Sequence, residues 1–220
     1  KFKKSFGQIF QFSGIYSMIQ NGIFEIPRQV ITAVKDINAA QIELAKVSDA
    51  SGSQLSSYWD EAANSAKKYG ATISDVISST ADWSRLGYDL EDSKLLSDVT
   101  TLYQKVGDNM TQETASQNLV STLQGFNIQA SQAESIIDKF NEVSNNFAIG
   151  SDGIGEALQR SAASFNASHT SLSKSIALIT GTNTTLQDPQ RVGNMWKTNF
   201  YNCLYVQKCA YSTHLIAGNA

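Results

Sequence analysis

Two histidines, His169 and His214, and two cysteines, Cys203 and Cys209, are the only imidazoles and thiols in the chain. Those are the groups that most often hold zinc or serve as base and nucleophile near neutral pH. Cys203, Cys209 and His214 could supply three ligands, one fewer than a structural zinc site uses, and their spacing matches no zinc pattern. His169 sits beside Thr170 in a stretch that reads as a turn, with no cysteine or carboxylate at a ligand-like spacing. So few histidines assemble no Ser/His/Asp or Cys/His arrangement. The expectation is therefore no catalytic, cofactor-binding or metal-ligating residue, and no enzyme.

Two further groups of residues could suggest chemistry. Gly150, Gly153 and Gly155 form a glycine-rich run at a helix start, where an anion could be held. No strand precedes it and no Gly-Lys-Ser/Thr ends it, so it reads as a loop, with Asp152 placed to cap a helix carrying Ile154, Leu158, Ala162 and Phe165. Asp89, Glu91 and Asp92 stand at another helix N-terminus, where the helix dipole favours negative charge without any catalytic role.

The elements that would position these residues are helices. Pro27 and Pro189 are the only prolines among 220 residues, and β-branched alternation is scarce, which points to an all-α chain. Seventeen Lys and Arg against twenty Asp and Glu leave a net charge of −3 and no basic field for a phosphate backbone, so no specific nucleic-acid partner is expected. No run of about 18 apolar residues could span a membrane. The chain begins at Lys1 with no signal-peptide pattern, which reads as a fragment of something longer.

From Ile9 to Val47 apolar residues recur in alternating steps of three and four, through Phe12, Tyr16, Ile19, Ile23, Ile26, Val30, Ala33, Ile37, Ala40 and Leu44. A step averaging about 3.5 over some five heptads is the seam of a coiled coil. Phe6, Phe10, Ile15, Met18 and Phe24 lie off that seam, so the first half could equally be a buried or membrane-surface helix. Pro27 should kink the rod or divide it into helices of roughly 6–25 and 28–48, packed on sister chains or on the next domain of the same chain. An ordinary amphipathic hairpin is the other reading.

The polar connector 49–53 marks a boundary between residues 1–48 and a helical core at 53–198. In that core, helices are expected from Gln54 to a stop at Gly70, from Ser74 to Gly87, and from Asp92 to Gly107 with Leu95, Leu96, Val99, Leu102, Tyr103 and Val106 inward. Further helices run from Thr111 to a stop at Gly125, from a Ser131/Glu134 capping box, from Thr170 to Gly181, and from Asp188-Pro189. Gly87-Tyr88-Asp89-Leu90 recurs as Gly125-Phe126-Asn127-Ile128 and Ser164-Phe165-Asn166-Ala167, at steps of 38 and 39 residues. A fixed step of that size signals stacked two-helix units, with chance in a Ser/Asn-rich chain as the alternative. The fold expected is long or kinked coiled-coil-like helices succeeded by an array of short helical hairpins.

Trp83-Ser84-Arg85-Leu86-Gly87-Tyr88-Asp89-Leu90, Ile149-Gly150 to Gly155-Glu156-Ala157-Leu158, and Asp188-Pro189-Gln190-Arg191-Val192-Gly193-Asn194 together resemble the core region of tail tape measure proteins of long-tailed bacteriophages and prophages. The resemblance runs from about Val30 to Thr198. It implies a structural protein: several copies lie inside the growing tail tube, their length sets the tube length, and they leave ahead of the DNA on injection. It also implies synthesis in the bacterial host cytoplasm, self-association, and tail tube proteins, tail-tip proteins and tail assembly chaperones as partners, with contact of the host membrane open during injection. After Thr198 the sequence departs abruptly from that pattern, with Tyr201, Cys203, Tyr205, Cys209, Tyr211 and His214, so 199–220 reads as a frameshifted or unrelated end. A helical-repeat module of a bacterial cell, presenting a groove to a protein partner, is the rival function.

Overall fold

Short polar side chains set the helix starts, because each can accept one of the backbone N–H groups that a first turn leaves unpaired. The structure, a computed structural model, describes residues 28–107, 110–200 and 202, and among these no strand occurs. Helix α1 spans Arg28–Val47. Ser51 caps α2 (Gly52–Tyr69) in a reciprocal box with Gln54, and Gly70 closes it at φ 63°. Thr72 caps α3 (Ile73–Arg85) and Asp89 caps α4 (Leu90–Val106). Thr111 caps α5 (Gln112–Phe126), and a 3₁₀ turn at Ala130–Gln132 leads into α6 (Ala133–Asn146). Gly150 precedes α7 (Ser151–Ala167), and Ser171 caps α8 (Leu172–Leu186). In α9 (189–200) Asp188 Oδ1 accepts from Arg191 N at 3.0 Å, with Pro189 at the first helical position as expected. The chain is all-α.

Several expected boundaries move. The connector after α1 shortens to residues 48–51, since Gly52 already begins α2. Ser131 makes no capping box: it lies inside the 3₁₀ turn, and α6 starts after Gln132 without a side-chain cap. Buried Ala130 draws the turn against the core, leaving Ser131 exposed. Gly125 does not end α5, because Asn127 does so at φ 54°. Gly181 does not end α8, which runs on to a left-handed Gln187. The run from Ser151 is helix rather than loop, and Asp152 does not cap it.

The glycines inside these helices mark close crossings. A Cβ on Gly125 would stand 2.5 Å from Ala162 Cβ, so α5 and α7 meet backbone to backbone there. On Gly155 it would stand 2.5 Å from Tyr103 Oη and 2.6 Å from Asn118 Nδ2. On Gly193, in α9, it would lie 2.5 Å from the Ala157 carbonyl oxygen of α7. Helix α7 thus occupies the middle of a bundle, with α5 and α9 pressed against it.

Two apolar clusters result. The larger joins Trp83, Leu96, Tyr103, Leu119, Phe140 and Phe165 from α3 to α7, with Trp196 and Phe200 of α9 packed against it. The Phe165 and Phe200 rings stand 5.0 Å apart, so residues 199 and 200 continue α9 into the core, and among residues 201–220 only Asn202 is described. The smaller joins Leu44 of α1, Tyr58 of α2 and Ile77 of α3. Ala40 and Leu44 of the heptad stripe are buried and Ile37 and Val47 pack beside them, so this end of the stripe faces α3 of its own chain. Ile31 and Ile42 remain 45% and 49% exposed. The upstream stripe, Ile9 to Ile26, and Pro27 lie outside the described residues.

Helix α4 turns a more polar face inward than its leucines suggest. Leu95 and Val106 are exposed, while Ser93, Ser97 and Thr100 are buried with Leu96, Val99 and Tyr103. The reason is pairing with α3: Ser97 Oγ donates to the Val76 carbonyl at 3.1 Å, and Trp83 Nε1 donates to Thr100 Oγ1 at 3.1 Å. Small hydroxyl residues let the two helices approach while each polar group keeps a partner.

The three similar stretches all fall at joints between successive helices, but in different registers. Gly87, at φ 92°, precedes the cap of α4; Gly125 lies within α5; Ser164 lies within α7. Gly87→Val should cost about 1–2 kcal/mol, because an L side chain disfavours that backbone angle. Asp89→Asn should change stability by less than about 0.5 kcal/mol, since asparagine caps equally well. Gly155→Val, which must displace Tyr103 and Asn118, should cost about 1–3 kcal/mol or more. Thermal melts of the three variants check the order.

Candidate functional site

Among the described residues, those singled out for chemistry do not converge. His169 is an exposed turn residue at φ 57°, its N–H donating to the Asn166 carbonyl at 2.9 Å. Asp89 accepts from Asp92 N at 2.8 Å as a helix cap, and Glu91 holds Lys94 at 3.1 Å. Cys203, Cys209 and His214 lie outside the described residues. Among the described residues no group of three His, Cys, Asp or Glu side chains could hold a metal ion, and no helix is long and apolar enough to cross a membrane.

A buried polar knot lies where the glycine-rich run was expected to form a loop. Tyr103 Oη donates to the Ser151 carbonyl at 2.7 Å, and Asn118 Nδ2 reaches the Asp152 carbonyl at 3.5 Å. Both side chains fit only because Gly155 leaves room for them. Burial holds the Tyr103 hydroxyl above the ordinary tyrosine range, as it does that of Tyr58, whose Oη lies 2.6 Å from Thr80 Oγ1. These groups pin helices together and are closed to solvent, which leaves them no room for a substrate.

Open surface lies instead between α3 and α5. Both helices pack on α4, and between themselves they leave a groove of about 610 Å³. Its walls include Asp75 and Asp82 from α3, Leu86 just past the end of that helix, and Glu113 and Val120 from α5. Gln112 Nε2 bridges one end by donating to the Asp75 carbonyl at 3.5 Å. At Asp75 and Ser78 it runs on into a second hollow of about 500 Å³ against α1, lined by Asp36 and Glu43. Among the described residues that line the two, Arg85 is the one cation; it donates to Glu43 Oε1 at 2.6 Å and also pairs with Asp82. That hydrogen bond, reinforced by Lys46, holds the Glu43 carboxyl below its ordinary range. Leu86 and Val120 gave no signal in the sequence beyond membership of amphipathic helices; their place in a groove depends on how α3 and α5 splay from α4.

The family described as phage-related minor tail protein matches residues 60–203. The chain belongs to that family. No solved structure matches it. The minor tail family match covers α3 to α9, both walls of the groove and the α5/α7 crossing, and begins within α2. It extends through Phe200, beyond the point at which the chain was expected to leave the family pattern. A minor tail protein is a structural component of the phage tail, and its contacts are with other tail components.

The buried tyrosines make the stability of this minor tail protein sensitive to alkali. Their folded-state values are raised, so their contribution is intact below about pH 10, where tyrosines of the unfolded chain ionise, and is lost as pH rises through the folded value. Tyr103→Phe should lower stability at pH 7 by about 1 kcal/mol through loss of the Ser151 hydrogen bond. It should also blunt the decline above about pH 10. Denaturant titrations of both proteins across that range measure the two effects.

Proposed function

We propose that this minor tail protein is a segment of a tail tape measure protein, acting by length and contact and without catalysis. The observation that carries this reading is the minor tail family match over 60–203 on a chain whose described elements are all helical. Helix suits a ruler because its rise per residue is fixed at about 1.5 Å. On this reading copies of the chain lie together inside the tail tube, contact tube and tail-tip proteins and assembly chaperones, and leave ahead of the DNA. Residues upstream of Ile37 serve association, the helices from α2 to Phe200 form the core together with the end of α1, and the segment after Phe200 is extraneous to both. Self-association then draws on the stripe upstream of Ile37, including exposed Ala33, because Ala40 and Leu44 are occupied by α3.

The groove between α3 and α5 favours a second reading, a helical module that binds a protein partner rather than measuring length. Tail length separates the two. Inserting about 42 helical residues into α1 in the parent phage should lengthen its tail by about 60 Å at the rise of an α-helix. Electron micrographs of purified virions give that length. Intact tails of unchanged length on virions carrying the insertion would favour the binding module.

A further inference from the structure

We propose that the groove between α3 and α5 receives a cationic amphipathic helix of a partner protein. The inference does not depend on the ruler reading. Three observations point to that occupant. First, the groove, bridged at one end by Gln112, is lined from Asp75 to Leu86 on one wall and from Gln112 to Ser121 on the other, about 15 Å at helical rise, so it offers some three turns of contact. Helices pack at axial separations of about 8–10 Å, and a third helix laid between α3 and α5 would set its apolar ridge into this gap. Second, its mostly polar walls carry one apolar residue on each side: Leu86 is 46% exposed at the rim, and Val120 is half-buried on the opposite wall.

Third, the charge along the groove and its continuation is one-sided. Among the described residues Glu43 is held by Arg85 and Lys46 and Asp82 by Arg85, while Asp36, Asp75 and Glu113 add three further carboxylates and Arg85 is the one cation of the lining. An acidic or neutral helix would meet repulsion or leave those carboxylates uncompensated, whereas lysines or arginines flanking an apolar stripe would pair with both rims. A polyanion is excluded for the same reason. Among the described residues no buried charged side chain is aimed into the groove, so a small charged ligand finds no anchor there.

The test uses the full chain and a fluorescently labelled helical peptide of leucine and lysine, with the same pattern in leucine and glutamate as control. Fluorescence anisotropy should show saturable binding of the lysine peptide, weakened by added salt, and none of the glutamate peptide. The double variant Asp75→Asn/Glu113→Gln should weaken binding at least about fivefold, and Leu86→Gln should weaken it at unchanged charge. Asp138→Asn/Glu142→Gln, which removes the same charge from the exposed side of α6, should leave it within about twofold. A spin label on the peptide should broaden amide resonances of α3 and α5 in the unmodified chain, a readout independent of any variant's folding. Absence of saturable binding, equal weakening by the α6 pair, or broadening centred on another face would each overturn the proposal.

Discussion

Helices α5 and α7 meet at Gly125 and Ala162 with no room for a further carbon atom, and the order of the larger core depends on that contact. Close backbone approach fixes the axial position of α7, and one consequence is that Gly155 comes to stand beneath Tyr103 and Asn118. Those two side chains then reach the carbonyls of the first turn of α7 and tie α4 and α5 to its start. On another side Gly193 brings α9 against Ala157, which lets Trp196 and Phe200 lie over Phe165. Three glycines therefore do in this bundle what bulky interlocking side chains do elsewhere, and the aromatic residues fill the space around the crossing rather than within it.

This division explains what could be read from the sequence. Helix starts depend on one side chain and the three residues after it, so Thr111 and Asp188 announce their helices locally. The caps of α3, α4 and α8 fall on Thr72, Asp89 and Ser171, one to three residues from the starts expected at Ser74, Asp92 and Thr170. Helix ends at glycine are legible only when the glycine is free to serve as a cap. Gly70 is such a residue, with open space where a side chain would go. Gly125 also follows the last apolar residues of its helix but answers to α7, a partner 37 residues away in sequence at Ala162, which no local rule reveals. The glycine-rich run at 150–155 misleads for the same reason: Gly153 and Gly155 are small because Pro189, Tyr103 and Asn118 lie against them, so the segment stays helical.

The groove was less legible still. Its acids are ordinary solvent-facing residues of amphipathic helices, and nothing in their spacing distinguishes them from the acids at the start of α4. What makes them a surface is the polar α3/α4 interface, where Ser84, Ser93, Ser97 and Thr100 replace leucines and allow α4 to sit close to α3. Leu86 is left at the rim of that arrangement instead of beneath it. Hydroxyl-rich helix faces read as exposed in a sequence, and here they form a contact whose hydrogen bonds are all internal.

The heptad stripe shows how an accurate periodicity can leave its partner open. Alternating steps of three and four require only that one side of a helix be covered, and α3 covers Ala40 and Leu44 as well as a sister chain would. A stripe that continued to face a second copy along its whole length would have to leave α3 uncovered, exposing Val76, Ile77 and Ala81. The described end of the stripe is therefore committed to its own chain, and only its positions upstream of Ile37 remain to face another copy. On the proposed tape-measure reading, association and core folding then use different stretches of the same stripe and do not compete.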